Sequence, residues 1–280
     1  MRGFFKRIAL LLCICVLWAG NARVCLADNF TLMEAFFTAP EQYSGLMEVP
    51  GKGPMRYYAQ NDPLWGALTY ENEDTQTRRP FRDSGCSPAA AAMAVAALVP
   101  EDELCAISGY AKKEYSLCSC SINQARCNHR HSRYVLTSQR DFVRFLPLIF
   151  GDFATGNNTL GTYSRSAAAG TGTGYLKGIA QVYGLTMTIT SDYEAACAAL
   201  REGGAVVALA ARNGVFTNTG HYVLLAHLDE ERLYILDPLL REEYKTNQSS
   251  KLEIIQPGLV ALTHANVSSA KFSNFIIFQK

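Results

Sequence analysis

The sequence predicts an α+β fold, and three observations lead there. Helix-forming stretches fill the first half of the chain, headed by the alanine-rich run after Cys86. Strand-like apolar stretches fill the second half, with one helical stretch, 193–201, lodged between two of them. No internal repeat appears. With 280 residues, 49% of them apolar and 18% charged, the chain carries enough core for one large domain in two lobes.

Taken in order, residues 28–54 read as a lead-in, with a short helix at 30–37 and a Gly/Pro loop at 50–54. Residues 56–60 are extended and close on Asn61-Asp62-Pro63. A polar loop spans 71–79. The alanine-rich helix covers about 87–99 and stops at Pro100, and a second helix spans 101–110. Phe142, Phe145, Leu146 and Ile149 recur at core spacing in a helix over 138–150, which Pro147 should kink or end early. Residues 151–174 are rich in Gly, Ser, Thr and Asn and read as a long loop. A helix over 175–183 ends at Gly184, and a strand covers 185–189. The helix 193–201 stops at Gly203-Gly204, and 205–210 is a continuous apolar strand. Two strands, 222–228 and 233–237, flank an acidic turn as an antiparallel hairpin. Strands at 260–264 and 272–278 follow.

A net charge of +1 and the lack of basic runs interleaved with aromatics give no support for nucleic-acid binding. Residues 1–27 read as a secretory signal: Arg2, Lys6 and Arg7, then a 12-residue apolar segment at 8–19, then small residues suited to cleavage after Ala22 or Ala27. That apolar segment is short for a membrane span, and no later stretch is long enough, so the expectation is a secreted or periplasmic protein without stable membrane insertion. In an oxidising compartment, disulfides are expected among Cys105, Cys118, Cys120, Cys127 and Cys197, with one thiol left over unless Cys25 is retained.

Candidate chemistry starts at Asp83-Ser-Gly-Cys86-Ser-Pro88, where a turn delivers a cysteine to a helix N-terminus. Helix N–H groups and the macrodipole favour the thiolate there. A lone cysteine at such a place is ordinarily packing, but two downstream residues change its meaning. His221 opens an apolar strand, and Asp237, before Pro238, closes the partner strand. If residues 229–231 form a three-residue loop, Leu228 pairs with Arg232 and Asp237 falls opposite Val223. Asp237 is then a diagonal neighbour of His221, about 7–8 Å away on the same face. An even-numbered loop would turn Asp237 to the other face unless a bulge restored it. A helix-borne thiol, a histidine base and an orienting carboxylate are the parts of covalent acyl transfer. Gln60 is a fourth candidate, an amide able to donate to an oxyanion beside the Cys86 N–H.

Tyr58-Ala-Gln60-Asn-Asp-Pro63-Leu-Trp65-Gly66, Gly85-Cys86-Ser-Pro88 with Met93, Gly220-His221-Tyr-Val and Leu236-Asp237-Pro238 occur in the order seen in papain-like cysteine peptidases. Over residues 55–238 the chain most resembles the bacteriocin-leader (double-glycine) peptidase family, in its stand-alone branch without a transporter. The resemblance implies a two-lobed papain-like fold, with a helical lobe carrying the cysteine and an antiparallel sheet lobe carrying the histidine and aspartate. It implies Cys86 as nucleophile, His221 as base, Asp237 as orienter and Gln60 as oxyanion donor. No cofactor is implied. Two departures stand out. Ser87 follows the cysteine where the family usually has glycine, and the export signal separates this chain from transporter-fused leader peptidases.

Cys118, Cys120, Cys127, His129 and His131 lie within 14 residues, inside an insertion at about 105–134. The Cys-x-Cys spacing is tighter than usual zinc sites, so disulfides are favoured over a metal and no metal ligand is assigned. The resulting reading divides the chain into a signal (1–27), a lead-in (28–54) and a peptidase domain (55–280). Its function is hydrolysis of peptide or amide bonds by a Cys-His-Asp triad through a thioester. The alternative is a catalytically inactive papain-fold protein that binds peptides or cell-wall fragments. An amidase or acyltransferase of cell-wall peptides would use the same triad, and a metal-binding or redox module would centre on residues 118–131.

Overall fold

Alternating and continuous apolar segments in the second half assemble into one antiparallel sheet. The computed structural model describes residues 43–66, 80–117, 132–155, 165–166 and 170–280. The signal, most of the lead-in, the 71–79 loop and the Cys118–His131 cluster lie outside the described residues. The described elements are β1 (Gly45–Val49), β2 (Gly53–Tyr57), α1 (Phe81–Ser84), α2 (Cys86–Leu98), a 3-10 helix (Glu101–Gly109), β3 (Glu114–Leu117), β4 (Ser132–Val135), α3 (Gln139–Arg144), α4 (Leu146–Ala154), β5 (Arg165–Ser166), β6 (Gly170–Thr171), α5 (Gly174–Val182), β7 (Thr186–Thr190), α6 (Tyr193–Arg201), β8 (Ala205–Ala210), β9 (His221–Leu228), β10 (Arg232–Leu236), β11 (Glu253–Gln256), β12 (Leu259–Thr263) and β13 (Phe272–Gln279).

The main sheet has seven strands in the order β11-β12-β10-β9-β8-β13-β7, every pair antiparallel. β9 therefore sits in the middle, and its six residues from His221 to Ala226 are buried. A strand covered on both faces reads as a continuous apolar run, as this one does. On one face, Ala208, Val223, Leu225, Ile235, Val260, Phe275 and Ile277 form a core with Ala196 and Leu200 of α6. The helix α2 packs on β8 and β9 and on α4. From Ala89 to Val95 every residue of α2 is fully buried. That is why it is apolar all round, and why small alanines, which allow close approach, dominate it.

Several element boundaries differ from the sequence reading, for physical reasons. The alanine-rich helix begins at Cys86 itself and ends at Leu98. Residues 101–109 wind as 3-10 rather than α-helix. The Gly/Pro loop at 50–54 is the tight turn of a hairpin, β1 with β2. Gly51 takes φ +76° there, and a Cβ on it would sit 2.6 Å from Nε2 of His227. Ser138 caps α3 in a reciprocal capping box with Asp141.

The expected break near Pro147 falls at Phe145, between α3 and α4. Proline lacks the N–H that would bond the carbonyl four residues back, and that carbonyl belongs to Val143. The Tyr58 hydroxyl donates to it instead, at 2.7 Å. Trp65, fully buried, packs edge-on against both Tyr58 and Phe145 and donates its Nε1–H to the Ala59 carbonyl. The aromatic residues around 58–65 thus fasten the hinge of the α3–α4 pair.

Tyr58→Phe strands the Val143 carbonyl in a buried place. It is expected to cost about 1–3 kcal/mol, the price of one unsatisfied buried acceptor. Urea unfolding should show a lower midpoint at unchanged slope.

Candidate active site

Cys86 is the first residue of α2, and Gly85 is its cap. Gly85 has an ordinary φ of −84°, so backbone freedom does not explain the glycine. Space does. A Cβ at Gly85 would strike the Phe81 ring and come within 2.6 Å of the Phe81 carbonyl, which already accepts the Gly85 N–H at 2.6 Å. The short helix α1 is folded so tightly against the start of α2 that only glycine joins them. Pro88 sits in the first turn of α2, where a missing N–H leaves no intrahelical bond unmade. Cys86 is partly exposed and carries a free thiol.

His221 opens β9 opposite Ala210 of β8. The β9–β10 register differs from the three-residue-loop expectation. Leu228 pairs with Leu233, so the loop is even-numbered, residues 229–232. A bulge then leaves Ala226 without an opposite residue, and Leu236 pairs with Leu224. The bulge restores the face that the even loop would have lost. Asp237 follows on the same side as His221, and the two side chains meet: His221 Nε2 lies 2.6 Å from Asp237 Oδ1.

With Nε2 on the carboxylate, the other ring nitrogen, Nδ1, is left for the Cys86 thiol, to which His221 hydrogen-bonds. Burial would raise the Cys86 pKa, but the imidazolium, helped by the N–H groups of Tyr222 and Ser87, outweighs it and holds the thiol below its ordinary value. Burial would likewise push His221 down, but the Asp237 carboxylate and the Cys86 thiolate raise it to about 9. The two shifts, thiol downward and imidazole upward, both favour the thiolate–imidazolium pair.

Asp237 is fully buried. Burial would raise its pKa, but His221 and then Arg241 hold the carboxylate well below its usual range. Oδ1 accepts from His221 and from the Leu239 N–H at 2.8 Å. Oδ2 accepts from Arg241 Nη2 and from the Tyr244 hydroxyl, both at 2.7 Å. Its main chain is fastened too: the N–H donates to the Gly258 carbonyl, and the carbonyl accepts from the buried Tyr57 hydroxyl. The buried Phe216 ring lies 6.3 Å from the His221 ring and 6.2 Å from the Tyr244 ring.

Gln60 is buried and reaches the segments on both sides of the site. Its N–H donates to the Pro238 carbonyl, just after Asp237, and its side-chain Nε2 donates to the Arg82 carbonyl, four residues before Cys86. One amide proton is therefore engaged by the main chain and one is left. Asn61 adds a two-point clamp, its amide bonding both the N–H and the carbonyl of Leu240. The turn after β2 thus ties the nucleophile's approach to the carboxylate's exit.

Matching residues 54–256 to the Peptidase_C39 like family covers well over half of the chain. The chain belongs to that family. Membership is consistent with a papain-like cysteine peptidase of the C39 type, and the mixed helix and antiparallel-sheet architecture fits. No curated protein matches the chain.

Of the residues singled out in the sequence, the fold brings Cys86, His221 and Asp237 together and sets Gln60 against the flanking Arg82 and Pro238; the sequence reading missed Arg241, Tyr244, Phe216 and Tyr57. Only Arg241 had a local signal, a cation four residues after the candidate carboxylate. Tyr244 follows on the same segment, and Phe216 and Tyr57 arrive from distant ones. Among the described residues no group of three or more His, Cys, Asp or Glu side chains is placed to hold a metal ion, and no helix is long and apolar enough to cross a membrane.

Gly85→Ala tests the tight α1–α2 junction. Overpacking there is expected to cost about 1–3 kcal/mol and to move Cys86 off His221. Thermal unfolding should fall, and the thiol should titrate closer to an ordinary cysteine. A variant with wild-type stability and an unchanged thiol would show that the junction has room.

Proposed function

We propose that the protein is an exported cysteine hydrolase of peptide or amide bonds. Cys86 is its nucleophile, His221 its general base and acid, and Asp237 the group that orients the imidazole. The observation that carries this reading is the unbroken hydrogen-bonded run from a helix-start thiol through His221 to a buried, fully engaged carboxylate. Membership of a cysteine peptidase family supports it. The charged and apolar pattern of residues 1–27 supports export, with the lead-in (28–54) and the peptidase domain (55–280) as the mature protein.

The reaction runs in two halves. The Cys86 sulfur attacks the substrate carbonyl carbon, and the C=O electron pair moves onto oxygen. The Cys86 N–H, one of the first in α2 and without an intrahelical acceptor, and the remaining Gln60 amide proton stabilise that oxyanion. As the oxyanion collapses, the C–N bond breaks and the His221 proton goes to the departing amine. The acyl group now sits on sulfur as a thioester. Neutral His221 takes a proton from water, whose oxygen attacks the thioester, and the acid leaves as sulfur regains its thiolate beside imidazolium. Asp237 keeps Nε2 protonated throughout, so that Nδ1 always faces the reacting atoms.

Alkylation with iodoacetamide across pH, mapped by mass spectrometry, tests the reading. Cys86 should label selectively well below the ordinary thiol pKa of about 8.5, and in His221→Ala its labelling should shift upward in pH. A Cys86 that is inert in the folded protein, or held in a disulfide, would support a binding protein instead.

A further inference from the structure

The carboxylate that orients His221 is shared. Arg241 and Tyr244 take one of its oxygens, Oδ2, at 2.7 Å each, while His221 takes the other at 2.6 Å. The two Oδ2 donors are also joined to each other: the Arg241 guanidinium lies over the Tyr244 ring, 4.1 Å from its centre. Arg241 is four residues beyond Asp237, and its side chain is only 20% exposed. Its place is set by the Asn61 clamp on the neighbouring Leu240. The buried Phe216 ring packs against both Tyr244 and His221.

Among the described residues, the charged and titratable groups around the imidazole come from five segments. Cys86 approaches from α2, Asp237 from the end of β10, and Arg241 and Tyr244 from the segment after it. Tyr57 comes from β2 through the Asp237 carbonyl, with Asp62 behind it, and Tyr222 neighbours His221 on β9. Among these, Arg241 is the one fixed cation, since an arginine does not lose its proton in a protein. A cation on the far oxygen of the carboxylate draws negative charge away from the near one.

Building on the triad reading, we propose that Arg241, braced by Tyr244, is a positioning residue that limits how firmly Asp237 holds the proton on His221. A carboxylate left wholly to His221 would make the imidazolium a reluctant acid toward the departing amine. With part of its charge spent on Arg241, the same carboxylate still fixes the ring, yet releases the proton to the leaving group more readily. The burial of the pair makes the effect large, because charges inside a protein are weakly screened.

The test is the protonation midpoint of the His221 ring, followed by NMR in full-length mature protein and assigned by its loss in His221→Ala. In the wild type it should lie at about 9. Arg241→Gln should raise it by roughly half a unit to one unit, in line with removal of a nearby like charge. Arg241→Lys, which keeps the charge, should return it to the wild-type value. Tyr244→Phe should raise it by less. A purely structural role for Arg241 would lower the unfolding temperature without moving the midpoint, and an unchanged or lowered midpoint in a folded Arg241→Gln would overturn the proposal. Should Arg241→Gln fail to fold, Tyr244→Phe decides alone: an upward shift upholds the proposal and an unmoved midpoint overturns it. A wild-type midpoint near the ordinary histidine value of about 6.5 would sink the triad reading, and this inference with it. A wild-type midpoint near 9 with unmoved variants would sink the inference alone.

Discussion

One buried carboxylate holds the site together. Asp237 is inaccessible to solvent, yet each oxygen accepts two hydrogen bonds and its main chain is tied to Gly258 and Tyr57. A buried anion without such partners would neutralise itself by taking a proton. Here the donors keep it charged, and the charge keeps His221 protonated at Nε2 with Nδ1 aimed at Cys86. The thiol's low pKa is the last link of that series. None of it would survive if Asp237 pointed to the other face of the sheet.

The sheet's geometry shows how narrowly that is avoided. The hairpin loop between β9 and β10 has an even number of residues, which by itself turns Asp237 away from His221. The bulge at Ala226 returns it. Two local irregularities cancel, and the functional contact depends on their cancelling. The helix side is equally constrained, because the α1–α2 junction leaves no room for a Cβ at Gly85. The turn after β2, through Gln60 and Asn61, connects the two halves by hydrogen bonds to main-chain groups on either side of the site. These contacts are short-range fasteners between segments some 20 to 180 residues apart in sequence.

How much of this the sequence disclosed follows from where each signal resides. Cys86, His221 and Asp237 are legible because each sits at an element boundary marked by its neighbours: glycine and proline around Cys86, Gly220 before His221, and Pro238 after Asp237. Buried strands such as 205–210 are legible as unbroken apolar runs, and β8 has those bounds. The 3-10 winding of 101–109 is not legible, since composition alone does not separate it from an α-helix. Nor is the bulge, because a register depends on two strands at once. Arg241, Tyr244 and Phe216 escape notice for the same reason. Their roles come from what they face across the fold, and the polar segment carrying Arg241 and Tyr244 looks like ordinary surface.

The central claim is that Cys86 becomes acylated and that His221 completes the turnover. The most direct measurement is rapid mixing of the mature protein with an activated aryl ester, with mass spectrometry of the quenched protein. The account predicts a burst of the aryl leaving group equal to the protein present and an acyl group on Cys86 that hydrolyses with time. In His221→Ala the burst should be slowed or lost. No burst, or an acyl group carried by Cys105 or Cys197 with Cys86 unmodified, would contradict it.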